Sequence, residues 1–258
     1  MRTLFPLLLI LALLVPPGRA PAAQGEQAVR LPSGTTVISQ RHAADGPLLA
    51  LWFTGQYGRV EAEQRAASRL AELGVETWLT DWFAPLFLPL LPSSVAAVPD
   101  ADLADWLETV RRQYPGKRLV LLAAGHAAAW PLRAVHTWRE RYGAAGAPEP
   151  VAGSLLLHPV LYQDPEPGDA PRYNPVAALT RLDTVLLQPM SSAGYWWRDN
   201  LKSVLESAGS HVWLQALPGV RDGFYRRGDA TPKEQVESAR LGDLLHQALQ
   251  PYLEPGRP

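Results

Sequence analysis

The chain has 258 residues, of which 47% are hydrophobic and 19% charged, with a formal net charge of −1. Such a composition describes a folded chain long enough to bury a large core, and it weighs against disorder and against a basic nucleic-acid-binding surface. The absence of cysteine excludes disulfides, thiolate catalysis and cysteine-ligated metals.

Residues 1–23 have the layout of a secretory signal peptide. Arg2 supplies a positive end, Leu4–Val15 is an apolar run, Pro16-Pro17-Gly18 breaks it, and Ala20-Pro21-Ala22 offers small residues for cleavage. An apolar run of this length is short for a membrane span. The expectation is a periplasmic or secreted protein of residues 24–258; an uncleaved N-terminal anchor is the alternative. No cysteine follows the run, so a lipoprotein is not expected.

After a polar lead, Thr35–Ser39 reads as an edge strand. Leu48–Phe53 is a continuous apolar run, the pattern of a strand buried on both faces. A turn at Thr54-Gly55-Gln56-Tyr57-Gly58 leads to a helix with Val60, Ala67, Leu70 and Leu73 inward, stopped by Gly74. Val75–Thr80 is the next strand. The segment Asp81–Pro92 carries prolines at 85, 89 and 92, which exclude regular helix and central strand. So apolar a loop either folds over the sheet's edge or forms a lid or docking surface.

A helix from Pro99-Asp100 presents Leu103, Trp106, Leu107, Val110 and Tyr114 on one stripe. The stretch around Leu119–Leu122 is a buried strand, followed by a tight turn at Gly125-His126-Ala127-Ala128-Ala129 and a helix to about Tyr142. Val151–Leu157, Thr184–Gln188 and His211–Leu217 complete the strands, with a loop over Gln163–Pro175 and a helix from about Trp197 to Gly209 between them. Thr231-Pro232-Lys233-Glu234 is a capping box that opens a final helix reaching Tyr252. Strands alternating with helices predict an α/β fold with a mostly parallel sheet covered on both faces and no large cap domain.

The strand–turn–helix at Gly125–Ala129 resembles the nucleophile elbow of the α/β-hydrolase superfamily, whose Gly-x-Ser-x-Gly aligns with Gly125-His126-Ala127-Ala128-Ala129. The resemblance spans about Leu48 to Tyr252. It implies a serine at the position of Ala127, an acid after Thr184–Gln188 and a histidine after His211–Leu217. The acid loop reads Pro189-Met190-Ser191-Ser192-Ala193-Gly194, putting Ser192 there. The histidine loop, similar to the family's Pro-Gly-x-x-His-Gly-Phe, carries Asp222. The resemblance also implies oxyanion-hole backbone donors at Gln56 or Tyr57 and at Ala128.

The expectation is therefore a member without a usable triad that acts by binding a small apolar ligand or an envelope protein. Modules with a similar Thr-Gly-Gln-Tyr-Gly turn stand beside thioredoxin-like redox modules in exported proteins, which makes a thioredoxin-like partner the expectation for the latter. Trp82, His126, Trp130, His158 and Trp196 are expected to line a pocket. An esterase or lipase using Ser191 or Ser192 with His158 is the alternative. No paired histidines or HExxH point to a metal, and neither a Gly-x-Gly-x-x-Gly nor a P-loop points to a nucleotide cofactor.

Overall fold

The computed structural model describes residues 24–144, 149–163, 172–192 and 197–253. Along the chain run β1 (Gln24–Arg30), β2 (Thr36–His42), β3 (Leu48–Phe53), α1 (Glu61–Glu72), β4 (Glu76–Thr80), α2 (Asp100–Gln113), β5 (Arg118–Ala124) and α3 (Ala129–Tyr142). Then come β6 (Gly153–Leu157), β7 (Tyr162–Gln163), β8 (Arg172–Tyr173), α4 (Pro175–Leu179), β9 (Thr184–Pro189), α5 (Trp197–Ser207) and β10 (Val212–Leu217). The C-terminal segment is α6 (Pro232–Ala239), α7 (Leu241–Ala248) and α8 (Gln250–Leu253).

Eight strands form one sheet in the order β1-β2-β4-β3-β5-β6-β9-β10. The pairs β1–β2 and β2–β4 are antiparallel, and the six strands from β4 to β10 are parallel. Residues in a strand alternate between faces, and here both faces are dry. Leu49, Leu51 and Phe53 of β3 and Leu119, Leu121 and Ala123 of β5 join the core under α2 and α3. Leu48, Ala50, Trp52, Val120, Leu122 and Ala124 join the core under α1 and α7.

Three expectations change. Thr35–Ser39 is not an edge: β1 lies outside it, paired residue for residue from Gln24↔His42 to Arg30↔Thr36. β1 escapes hydropathy because only Val29 is buried in Gln24-Gly25-Glu26-Gln27-Ala28-Val29-Arg30; backbone pairing makes the strand. The final helix is three helices, broken at Arg240 and Leu249. The capping box is formed in full, Thr231 Oγ1 accepting the Glu234 N–H and Glu234 accepting the Thr231 N–H. Within the Gln163–Pro175 loop, β7 and β8 pair as a two-stranded ribbon. The signal-peptide expectation falls outside the described residues.

Gly153 at the start of β6 shows how tightly the C-terminus docks. A Cβ there would lie 2.5 Å from the Asp183 carbonyl oxygen and 2.5 Å from the Tyr252 ring, whose hydroxyl donates to the carbonyls of Ser154 and Asp183 at 2.8 and 3.0 Å. Gly153→Ala is expected to lose about 1–3 kcal/mol by overpacking. Urea unfolding measures this, and an unchanged midpoint would contradict the docking of α8 against β6.

Candidate functional site

In open parallel sheets, sites form beyond the carboxyl ends of the strands where the strand order reverses. Here β3 connects outward to β4, whereas β5 lies on its other side, so the switch point lies between the carboxyl ends of β3 and β5. The turn after β3 and the turn after β5 meet there. A Cβ built on Gly55 would lie 3.9 Å from the Ala127 Cβ and 3.7 Å from the Ala124 carbonyl oxygen.

The reversal between β5 and α3 has one left-handed residue, Gly125, at φ +59°. From Gly125 to Ala128 the chain is already a 3-10 turn leading into α3. The tip of this strand-to-helix turn is Gly125, two residues before Ala127. Ala127 is two residues into the helical turn, fully buried, with negative φ. The N–H that follows Gly125 belongs to His126. Gly125 and Ala127 alike carry no nucleophilic side chain.

Across the crevice, Gly55-Gln56-Tyr57-Gly58 closes as a turn, the Gly58 N–H donating to the Gly55 carbonyl at 2.9 Å. Gln56 is buried and Tyr57 is 55% exposed. His158, at the end of β6, is held at φ +38° although it is buried to 1% exposure. A non-glycine residue there is strained. Its ring packs towards the tip, 3.7 Å from a Cβ built on Gly125, and 5.9 Å centroid to centroid from Tyr225. Ser192 Oγ accepts the Asp222 N–H at 2.6 Å, joining the two loops where an acid and a histidine were expected. Nearby, Arg221 binds Glu234 and Asp229, and Arg227 binds Asp229.

A cavity of about 500 Å³ opens beside the elbow, within the range of small-molecule sites. The face of α3 bearing Ala129, Arg133, His136 and Thr137 forms one wall with His126. Val160, Leu161, Val176 and Leu179 form an apolar wall opposite, and Pro92–Ala96 closes a third side. Arg133 fixes that third side. It donates to the carbonyls of Val95 and Val98 and pairs with Asp100, while Trp130 Nε1 donates to the Val95 carbonyl at 3.0 Å.

Of the expected pocket residues that are described, His126 is on the cavity wall and Trp82, Trp130 and His158 are not. Trp82 and Trp130 are fully buried: Trp82 meets Trp106 edge-on and Trp130 meets Phe83. Their large apolar faces are satisfied by the core under α2. His158 faces the elbow tip instead of the cavity, and Trp196 lies outside the described residues.

Sequence reading missed a buried polar group beneath the mouth of the crevice. Glu63 in the first turn of α1 is 3% exposed, and its Oε2 has no hydrogen-bond partner among the described residues. Burial pushes its carboxyl up to about 7; the Arg226 guanidinium, the Val60 N–H and the Tyr225 hydroxyl pull the other way. Burial also raises the Tyr225 phenol, and the Glu63 charge adds to it. The signal was in the spacing: Val60, Glu63, Ala67 and Leu70 share the inward helical stripe, and Glu63 is the one acid on it.

Two outcomes test this description. Folded Glu63 holds its proton to about pH 7, whereas the unfolded group releases it near 4.5. The contribution is full below pH 4.5 and is lost as pH rises through 7, amounting to at most about 3 kcal/mol. Glu63→Gln is expected to flatten the fall in unfolding free energy between pH 5 and 8. Secondly, a serine introduced at the tip is the one that gains reactivity. Gly125→Ser, whose Cβ would lie 3.7 Å from the His158 ring as a base in reach, is expected to acquire fluorophosphonate labelling at the introduced hydroxyl, at about 1–2 kcal/mol of backbone strain, whereas Ala127→Ser stays inert. Labelling of Ala127→Ser alone would put the serine position at Ala127.

Neither a protein-family model nor any curated protein matches the sequence. Solved structures do match. A dienelactone hydrolase from Klebsiella pneumoniae subsp. pneumoniae MGH 78578 is similar at 17% identity and TM-score 0.60, over 88% of this chain and 99% of that one. A hyperthermophilic esterase from Pyrobaculum calidifontis is similar at 14% identity and TM-score 0.66, over 90% of this chain and 84% of that one. A bacterial heroin esterase is similar at 18% identity and TM-score 0.62, over 89% and 85%. With the sheet order, the covered faces and the turn after β5, these likenesses establish that the chain has the α/β-hydrolase fold.

Proposed function

We propose that this is an exported protein that uses a hydrolase scaffold to bind a small, largely apolar ligand and does not cleave it. The observation that carries this reading is Gly125 at the elbow tip. Acyl transfer by this fold needs a nucleophile at that point, within reach of a base. A hydrogen side chain supplies none, and Ala123, Ala124, Ala127 and Ala128 on either side supply none. The neighbouring loops support the reading, since Asp222 and Ser192 stand where a base and an acid would be needed. A carboxylate is a weaker base towards an alcohol than the imidazole it replaces.

The parts that bind are retained. The cavity beside α3 is the size of a small-molecule site and has an apolar wall. Backbone N–H groups at the start of a helix favour an oxygen-bearing group near the elbow whatever side chains surround them. A second reading, an envelope protein partner such as a thioredoxin-like one, is favoured by the segment between Phe83 and Pro92. Phe87 is 94% exposed and Leu90 and Leu91 are each 51% exposed, a surface that commonly marks an interaction site.

The native chain is expected to show no fluorophosphonate labelling and no turnover of short acyl esters. A thermal-shift series with fatty acids and other apolar ligands is expected to give saturable stabilisation. Leu179→Asp, at an exposed point on the cavity's apolar wall, should weaken binding about tenfold, roughly 1.4 kcal/mol. Labelling of a native serine, lost on its mutation, overturns the reading.

A further inference from the structure

Arg226 is the unusual cation among the described residues. Other half-buried arginines are occupied: Arg41 by Glu76, Arg118 by the Leu253 carbonyl, Arg133 by Asp100 and two carbonyls, and Arg221 by Glu234 and Asp229. Arg226 has no carboxylate within ion-pair distance among the described residues. Its guanidinium donates from Nη1 to the Tyr225 hydroxyl at 3.3 Å.

Its surroundings hold it in place. The guanidinium centre lies 3.9 Å from the centroid of the Tyr57 ring. A Cβ built on Gly223 would come within 3.0–3.2 Å of Nε, Cζ and Nη2. The guanidinium stacks on the Tyr57 ring, and Gly223 packs against its Nε–Cζ–Nη2 side, where a side chain would push it out. Nε and Nη2 have no acceptor among the described residues. Together they present two parallel N–H donors, the geometry that accepts a carboxylate in bidentate fashion.

We propose that Arg226, stacked on Tyr57 and packed by Gly223 at the mouth of the elbow crevice, is a capture site for the carboxylate of a small ligand. The inference stands on this cluster and does not depend on occupancy of the cavity beside α3. Stacking holds the fork still before the ligand arrives, which reduces the ordering cost of binding. Tyr57 comes from the β3–α1 turn and Arg226 from the loop after β10, so the site spans the crevice at the end of the sheet.

Glu63 makes the site sensitive to protons. The groups that act on it are Arg226 and Tyr225 from the loop after β10 and the Val60 N–H of its own helix; Tyr57 faces Arg226 from the other side. Glu63 is neutral in acid, and the guanidinium charge is then free for a ligand. As pH rises through about 7 the carboxyl ionises and competes for the same cation. Capture is therefore tighter on the acid side.

The test is titration of the purified chain with sodium benzoate, and separately with inorganic phosphate, at constant ionic strength and at pH 6 and pH 8.5. Saturable benzoate binding is expected, several-fold tighter at pH 6. Arg226→Gln should abolish it. Arg226→Lys, which keeps the charge and loses the fork, should weaken it at least tenfold while remaining folded. Arg227→Gln, at an arginine paired with Asp229, should leave it unchanged. Glu63→Gln should bind equally at both pH values. No saturable benzoate binding, binding that survives Arg226→Gln, or a preference for phosphate overturns the carboxylate site. Equal wild-type binding at the two pH values overturns the role of Glu63.

Discussion

The reversal of the chain between β5 and α3 is the constraint from which the other features of the crevice follow. A strand buried on both faces must hand over to a helix within a residue or two, because α3 packs straight back on the sheet that β5 belongs to. The left-handed conformation of Gly125 makes that reversal. Once the tip is there, Gly55 comes to lie opposite Ala127, where even a Cβ would make ordinary van der Waals contact. The end of β6 must also come close, since the Val160 N–H donates to the Gly125 carbonyl at 2.9 Å. His158 takes its strained conformation in that short passage, with its ring over the tip. The strain is local and the sheet around it is regular, so the surrounding pairing can hold it.

Much of this was legible in the sequence where the chain is buried. β3 and β5 announce themselves as unbroken apolar runs, and α2 and α7 as stripes, because burial on known faces leaves a period in the composition. β1 left none: one buried residue in seven gives no period, and its place comes from backbone pairing with β2. The site was legible as a location and not as a register. Gly125 and Ala127 both fit a small-residue turn on paper, and only the backbone angle separates them. Tryptophans mislead for a related reason. Trp82 and Trp130 lie near strand and helix ends where a pocket lining was expected, but edge-to-face neighbours satisfy them inside the core.

The cavity and the arginine cluster were the least legible parts, since each is assembled from distant segments. The cavity wall formed by Arg133 and His136 follows from the elbow helix once its rotation is known. Its opposite wall comes from residues 160–179, which no periodicity links to α3. Arg226 is one of three arginines between 221 and 227. Its neighbours are satisfied by Asp229 and Glu234, and the difference between them exists only in three dimensions.

A hydrolase and a binding protein on this scaffold differ by little covalent matter and by much chemistry. Removing the nucleophile removes the covalent step, yet the helix start, the turn after β3 and the cavity are built by backbone and packing, which a change of side chain at the tip does not undo. A site that must release products cannot hold its ligand too tightly, whereas one that makes no product has no such limit. On the binding reading proposed above, a tip without a nucleophile lifts that ceiling on affinity, and a guanidinium stacked at the mouth of the crevice is a group that strengthens ground-state binding and would be wasteful in a catalyst.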